Sequence, residues 1–264
     1  MKKIIYTDLD GTFLNHNNYS FQEAKEALKK IKSKNIPLIF CTSKTREEVE
    51  LLQKKVDIQE PFIVENGAAL FIPKGYQGLS LNNLDNFLKY KVITFGQNYH
   101  KILKFYNENK ILFNMEGFSD MSIQRVSNLT GLSLDDAKLS KSRDFTEPFI
   151  LNDNSKLQEL KKLAIKSNIK ITKGGRFYHL MGEFQDKGVA VGKTTELFEK
   201  LFNEKIKSIA LGDGENDIEM LKSVDIPIAI KNNKGEYLSL ELDRLQKSTL
   251  KGSAGFNEMV LKNV

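Results

Sequence analysis

Tryptophan is absent from the 264 residues, and cysteine occurs once, as Cys41. A single thiol forms no intramolecular disulfide, which excludes a disulfide-stapled scaffold of the secreted kind. No apolar run approaches the roughly 18 residues of a membrane-spanning helix. The apolar stretch within Met1–Thr7 is too short for a signal-peptide core, and Asp8 and Asp10 cut it off. These absences lead us to expect a cytoplasmic protein that spans no membrane. There is no internal repeat, no low-complexity linker and no stripe of basic and aromatic residues of the kind that binds nucleic acid.

What is present is ordinary in amount. Apolar residues make up 40% and charged residues 28%, a globular composition that excludes disorder as the main state. Lys plus Arg number 40 against 34 Asp plus Glu, a net charge of +6 spread along the chain. That balance favours a small anionic ligand over a polyanion. The length suits one large domain or a core carrying a sizeable insertion. A chain near that size buries roughly three quarters of its unfolded surface and needs no staple.

The order of patterns gives the fold class. Ile4–Thr7 reads as a buried strand ending in polar residues. Ser20-Phe21-Gln22-Glu23 has the form of a capping box, with Ala24, Ala27, Leu28 and Ile31 on one face of the helix after it. Strands at Pro37–Cys41 and Phe62–Val64 flank a helix opened by a second box, Thr45-Arg46-Glu47-Glu48. Strand, helix, strand, helix, strand predicts a parallel sheet with right-handed crossovers. From about Asn82 to Asp186 the character changes. Helices are expected around 98–109, 119–129 and 155–167, and strands at 91–95, 145–151 and 169–181, the last folded at Gly174-Gly175. The α/β pattern then resumes with a helix over 188–202, a strand over 206–211, a helix over 215–222 and a strand over 226–230. We therefore expect an α/β protein with a Rossmann-like parallel-sheet core. Its first part is residues 1–82, its second part is residues 187–264, and residues 83–186 form an inserted α+β domain.

Four segments put polar residues just after a strand or at the start of a helix, where open α/β sheets bind ligands. In Asp8-Leu9-Asp10-Gly11-Thr12, two carboxylates close together would repel if buried alone, and a divalent cation resolves the conflict. Gly11 lets the backbone turn tightly. Thr42 and Ser43 follow the second strand and suit either a phosphoryl oxygen or a helix cap. Lys187 begins a helix, either facing an anion or solvated like the many other lysines. Gly212-Asp213-Gly214-Glu215-Asn216-Asp217 offers hard oxygen donors of the kind Mg²⁺ takes, or is a solvated acidic loop. Gly188-Val189-Ala190-Val191-Gly192-Lys193-Thr194 only imitates a nucleotide P-loop, being one residue short and lying within a helical pattern.

Taken together, Asp8/Asp10, Thr42, Lys187 and Asp213/Asp217 resemble the haloacid dehalogenase-type phosphatase superfamily, in order and in spacing. The insertion looks like that superfamily's α/β cap domain. A narrower similarity, to the mannosyl-3-phosphoglycerate phosphatases, spans nearly the whole chain. It rests on Ser43-Lys44-Thr45-Arg46, Glu65-Asn66-Gly67-Ala68-Ala69, Phe71-Ile72-Pro73-Lys74-Gly75-Tyr76, Arg143-Asp144-Phe145-Thr146-Glu147-Pro148, Gly174-Gly175-Arg176-Phe177, Asp186-Lys187-Gly188 and the tail Lys251–Glu258. The tail departs from the family where Phe256 stands in place of a frequent tryptophan.

The resemblance implies a Mg²⁺-dependent phosphoric monoester hydrolase working through an aspartyl-phosphate. Its substrate would be mannosyl-3-phosphoglycerate, with the glucosyl ester as a second candidate, and its product a glycosylglycerate of the compatible-solute kind. It implies Asp8 as nucleophile and Asp10 as acid and base. Thr42 and Lys187 would hold the phosphoryl oxygens. Asp8, Asp10, Asp213 and Asp217 would serve the metal, with Asp217 also suited to orienting Lys187. For the rest of the substrate it points to Ser43, Lys44, Arg46, Asn66, Arg143, Glu147 and Arg176. A cap domain further implies closure that excludes water. Arg176 suits a carboxylate or an exposed hairpin, and Arg46 a ligand or a solvated first turn. The alternatives are a broader sugar-phosphate phosphatase, a phosphomutase relative, or a non-catalytic anion binder on the same fold.

Overall fold

The computed structural model describes residues 1–174 and 176–264. In chain order the elements are β1 (Lys2–Thr7), α1 (Lys25–Ser33), β2 (Leu38–Cys41), α2 (Arg46–Val56), β3 (Phe62–Val64), β4 (Ala69–Pro73), β5 (Asp85–Phe87) and β6 (Tyr90–Thr94). Next come α3 (Tyr99–Asn109), β7 (Met115–Gly117), α4 (Ile123–Thr130), α5 (Leu134–Ser140), β8 (Glu147–Leu151), α6 (Leu157–Ile165), β9 (Ile169–Gly174) and β10 (Phe177–Gly182). The last are α7 (Lys187–Phe202), β11 (Ile206–Gly212), α8 (Ile218–Lys222), β12 (Ile226–Lys231), β13 (Gln246–Lys251) and α9 (Gly252–Asn263). Among the described residues no helix is long and apolar enough to cross a membrane.

Two compact units result. The first comprises Met1–Thr42, Gln59–Ile93 and Asp186–Val264. Its sheet runs β13-β12-β11-β1-β2-β3-β4-β6-β5. From β13 to β3 every neighbouring pair is parallel, which agrees with the expected α/β core. Every residue of β2 and β3 is buried, as expected of central parallel strands covered on both faces. In β1 the last four residues, Ile4–Thr7, are buried. The carboxyl ends of β1, β2 and β11 lie side by side, so Asp8, Thr42 and Asp213 are neighbours by topology.

The second unit comprises Ser43–Ile58 and Thr94–Gln185. Its sheet, β7-β8-β10-β9, is antiparallel throughout. One face packs on α3 and α6 through Phe149, Tyr178, Leu180, Ile102, Tyr106 and Leu160. The other carries a smaller cluster of Phe118, Met121, Val126 and Ala137, with Ile150 and Phe177 packed against it.

Against the expected 82/83 and 186/187, the units divide at Ile93/Thr94 and, one residue earlier, at Gln185/Asp186, and the second unit also takes Ser43–Ile58. Strands β5 and β6 extend the edge of the large sheet instead of opening the insertion. Their apolar residues have a home there: Tyr90 stacks edge-on against Phe62 and Phe71, with ring centroids 5.3 and 5.6 Å apart. Helix α2, adjacent in sequence to β2, packs on α5 and belongs to the second unit. Thr45 Oγ1 donates to the Leu139 carbonyl, and Arg46 lies 3.3 Å from Asp144. The expected turn at Gly174-Gly175 falls partly outside the described residues, since Gly175 is not among them.

One expected capping box forms and one does not. Thr45 and Glu48 cap α2 reciprocally. Ser20 and Glu23 do not cap α1, because the Glu23 carboxylate is taken by tertiary partners: Ser253 Oγ donates to it at 2.6 Å and Asn15 Nδ2 at 2.9 Å. Ser253 N in turn donates to Asn15 Oδ1 at 3.1 Å. Gly252, at φ +49°, makes this approach possible, because a Cβ there would stand 2.6 Å from Asn15 Oδ1. Behind this junction Phe13 packs on Phe21, Phe40 and Phe256, with centroids 5.1 to 5.8 Å apart. Each such pair is worth about 0.5–1.5 kcal/mol beyond its buried area. The C-terminal motif thus clamps the segment that follows Asp10.

A half-buried carboxyl on the first unit gives a pH test of the fold. Tyr76 donates to Glu60 Oε2 at 2.5 Å. Burial outweighs that bond and pushes the Glu60 carboxyl up to about 7. A raised carboxyl holds its proton more tightly folded than unfolded. Its contribution is therefore complete below about 4.5 and is lost as pH rises through about 7. Glu60→Gln should remove that segment of the stability curve. Urea midpoints at about pH 5 and about pH 8 test it: wild type falls relative to the variant at the higher pH. Parallel curves would contradict the assignment.

Candidate active site

Asp8 leaves β1 with its backbone N–H bonded to the Leu211 carbonyl of β11 at 2.9 Å. The chain then folds back tightly, Gly11 N donating to Leu14 O at 2.9 Å. Gly11 sits at φ +86°, and a Cβ there would stand 2.4 Å from Asp213 Oδ2. Only glycine lets the turn lie this close to that carboxylate. Thr12 Oγ1 donates to Asp213 Oδ1 at 2.9 Å, fixing the same side chain from its other oxygen.

Lys187 lies at the centre. It is the first residue of α7, whose N-cap Asp186 accepts from Val189 N at 2.8 Å. Its side chain is fully buried, with Nζ 2.6 Å from Asp8 Oδ1 and 2.7 Å from Asp217 Oδ1. It is therefore not a solvated surface lysine. Asp217, also fully buried, accepts from Asp213 N and Gly214 N through Oδ2 at 3.1 and 3.0 Å. Both of its oxygens are thus engaged in holding Lys187 and the Asp213–Gly214 loop.

The electrostatics follow from burial. Loss of water pushes the Asp8 carboxyl well above its usual range; Lys187 pulls it back, and Asp217, Asp213 and Asp10 push it further up. Burial, and then Asp217, raise Asp213 to about 7. Burial alone would favour a neutral lysine, but Asp217 and Asp8 outweigh it and hold Lys187 charged.

One ammonium faces several carboxylates. Oxygens of Asp8, Asp213 and Asp217 lie within 4.8 Å of one another. An all-oxygen donor set with excess negative charge fits a hard divalent cation. Asp8 and Asp213 each have an oxygen beyond the one bonded to Lys187 or Thr12, so these two carboxylates fit as ligands.

The remaining residues fall into two groups. In the first unit, Thr42 is almost fully buried, and its carbonyl accepts from Asn66 N at 2.8 Å. It does not cap α2, a role taken by Thr45. Asn66 Oδ1 accepts from Asn216 Nδ2 at 3.3 Å, tying its loop to the Asp213 loop. Asp8, Asp10, Thr42, Asn66, Lys187, Asp213 and Asp217 are thus brought to one end of the large sheet.

The second unit holds the others. Arg143 donates from Nη1 to Ser43 O and from Nε to Ser140 O, each at 2.9 Å. Lys44 lies 3.7 Å from Glu48. Arg46, largely buried, lies 3.1 to 3.4 Å from Glu47, Glu50 and Asp144, so it is not a solvated first-turn residue. Glu147 is fully buried and accepts from Ser119 N, Ser119 Oγ and Tyr99 OH at 2.8, 2.7 and 2.7 Å. Arg176 is exposed and donates to the Leu129 carbonyl. Sequence reasoning assigned no role to Thr12, although it quoted the residue, nor to Tyr99 and Ser119. A hydroxyl directly after an Asp-Gly turn was the available sign for Thr12.

Removing Lys187 tests the electrostatic reading. Lys187→Ala leaves Asp8 and Asp217 facing each other without a cation. We expect a loss of about 3–5 kcal/mol near neutral pH, partly recovered in acid as Asp8, whose carboxyl burial pushes up, takes up a proton. Urea unfolding measures it; wild-type stability across pH would contradict the reading.

Comparisons place this geometry among known proteins. The family description "haloacid dehalogenase-like hydrolase" matches residues 5–240. A glucosyl-3-phosphoglycerate/mannosyl-3-phosphoglycerate phosphatase from Persephonella marina is 48% identical over 257 residues, covering 97% of this chain and 95% of that one. A protein of the same description from Methanococcoides burtonii is 41% identical, covering 99% and 97%. The crystal structure of a haloacid dehalogenase-like hydrolase from Bacteroides thetaiotaomicron superposes over all of both chains with a TM-score of 0.69 at 15% identity.

Proposed function

The chain belongs to the haloacid dehalogenase-like hydrolases, and on that premise we propose that it hydrolyses the phosphate ester of mannosyl-3-phosphoglycerate and glucosyl-3-phosphoglycerate. The observation that carries the chemistry is the buried Asp8 carboxylate, held through one oxygen by Lys187 at the end of β1. The substrate comes from the full-length similarity to phosphatases of these two esters.

Asp8 attacks phosphorus in line, forming an Asp8–phosphorus bond as the ester oxygen departs. Asp10, two residues on, gives that oxygen its proton. It then takes a proton from the water that attacks the aspartyl-phosphate, releasing phosphate and restoring Asp8. Lys187 offsets charge on the phosphoryl group, and Thr42 supplies a hydroxyl at the adjacent strand end. Mg²⁺, held by Asp8, Asp213 and Asp10, would supply further positive charge to the phosphoryl oxygens. Asp217 keeps Lys187 charged and fixes the Asp213 loop. Thr12 holds Asp213 at its observed angle. Little covalent chemistry is asked of the protein, so positioning and charge supply most of the rate.

For the rest of the substrate, Arg143 and Arg176 offer guanidinium groups to the glycerate carboxylate, with Ser43, Lys44 and Asn66 as further polar contacts. Arg46 and Glu147 act through their neighbours. Arg46 is engaged with three carboxylates, and Glu147 orders Tyr99 and Ser119.

Phosphate release tests the proposal. The panel is mannosyl-3-phosphoglycerate, glucosyl-3-phosphoglycerate and bare 3-phosphoglycerate, each with Mg²⁺ and with EDTA. We expect Mg²⁺-dependent release from one or both glycosyl esters, little from 3-phosphoglycerate, and none from Asp8→Asn. Equal turnover of all three would replace the proposal with a broad-specificity phosphatase. Release unaffected in Asp8→Asn would overturn the nucleophile.

A further inference from the structure

His179 is a half-buried titratable group that the mechanism leaves unused. It lies on β10, and strand alternation sets its direction. Tyr178 and Leu180 point into the core against α3 and α6. His179 therefore points to the opposite face, with Phe177, Met181 and its cross-strand neighbours Thr172 and Pro148. On that face Phe177 and Ile150 pack against the cluster that α4 and α5 contribute.

The imidazole there is half-buried. Its Nδ1 is closed off from solvent without a hydrogen-bond partner. Nε2 faces the space left by Gly174, 3.3 Å from where a Cβ at that position would stand. A buried polar group left unpaired calls for an explanation. An orphaned acceptor is less costly than an orphaned N–H, so the favoured tautomer carries its proton on Nε2. That N–H then points at the open side. Burial, and then Arg143, push the imidazole down to about 3, so it is uncharged at any working pH. An uncharged donor beside the exposed Gly174 and Thr172 suits a neutral oxygen. Arg143 supplies positive charge nearby, and that charge is the better partner for a carboxylate.

We infer that His179 is a specificity-determining residue, donating through Nε2 to a hydroxyl of the substrate's pyranose ring in the space kept open by Gly174. The inference rests on the glycosyl-ester reading above. It assigns the Gly174 side of the hairpin to the sugar and leaves the glycerate carboxylate to arginine.

The test compares wild type with His179→Ala, His179→Gln and Gly174→Val on the glycosyl esters and on p-nitrophenyl phosphate, which has no sugar. A lost hydrogen bond to a neutral group is worth about tenfold in kcat/KM. We expect about that loss on the glycosyl esters for His179→Ala and Gly174→Val. His179→Gln, whose amide N–H reaches a similar place, should recover part of it. Turnover of p-nitrophenyl phosphate should be unchanged in all three. Unchanged glycosyl-ester kinetics overturns the assignment, as does an equal fall on both substrate types, which marks a purely structural role. A wild type active on p-nitrophenyl phosphate but on neither glycosyl ester defeats the substrate reading instead. The same variants are then run on a panel of pyranose phosphates. A selective loss on any of them sustains His179, and equal rates on all overturn it.

Discussion

A lysine ammonium buried between two carboxylates is the constraint on which the rest of the first unit depends. Lys187 bonds Asp8 at one side and Asp217 at the other, with no solvent on its side chain. Such a group is tolerable only while charged partners surround it. This requirement ties together three distant parts of the chain: the end of β1, the start of α7 and the loop after β11. In the proposed mechanism it also sets the chemistry, because the cation that makes burial of Asp8 tolerable would offset charge on the phosphoryl group that Asp8 attacks. Lys187 alone does not offset the neighbouring acids, a surplus that a divalent cation would balance.

The surroundings are organised to hold this arrangement still. Asp217 accepts from two backbone N–H groups as well as from Lys187, so the loop and the lysine are fixed by one side chain. Thr12 and Gly11 fix Asp213 from two directions. Further out, Gly252 and Ser253 grip Asn15 and Glu23, and Phe256 packs on Phe13. The tail motif is therefore a support for the segment after Asp10. Phe256 fills its place edge-on against Phe13.

Much of this was legible in the residues. Strands such as Phe62–Val64 and Leu38–Cys41 are short apolar runs bounded by polar residues, and parallel strands buried on both faces look like that. The carboxylates were legible because acids after buried strands have few structural uses. Other elements were hidden for physical reasons. Ala69–Pro73 returns antiparallel through Glu65-Asn66-Gly67, three consecutive residues at positive φ. A turn of that kind is not written in alternation. Tyr90–Thr94 reads as a strand wherever it docks, and only its aromatic contacts with Phe62 and Phe71 place it on the large sheet. Ser20 and Glu23 spelled a capping box, yet a partner more than 200 residues away took the glutamate. Local patterns propose bonds, and tertiary competition decides among them. Glu147 and Arg46 show the same limit, since their bonding to Tyr99, Ser119 and Asp144 depends on folding of the second unit.

The central claim is that Lys187 prepares Asp8 to accept a phosphoryl group. Rapid acid quench of the enzyme during turnover, followed by peptide mass mapping, tests it most directly. A phosphoryl group on the peptide carrying Asp8, absent when Asp8 is replaced by asparagine, is the predicted result. Turnover with no phosphorylated peptide at any quench time, or with the phosphoryl group on another residue, would contradict it.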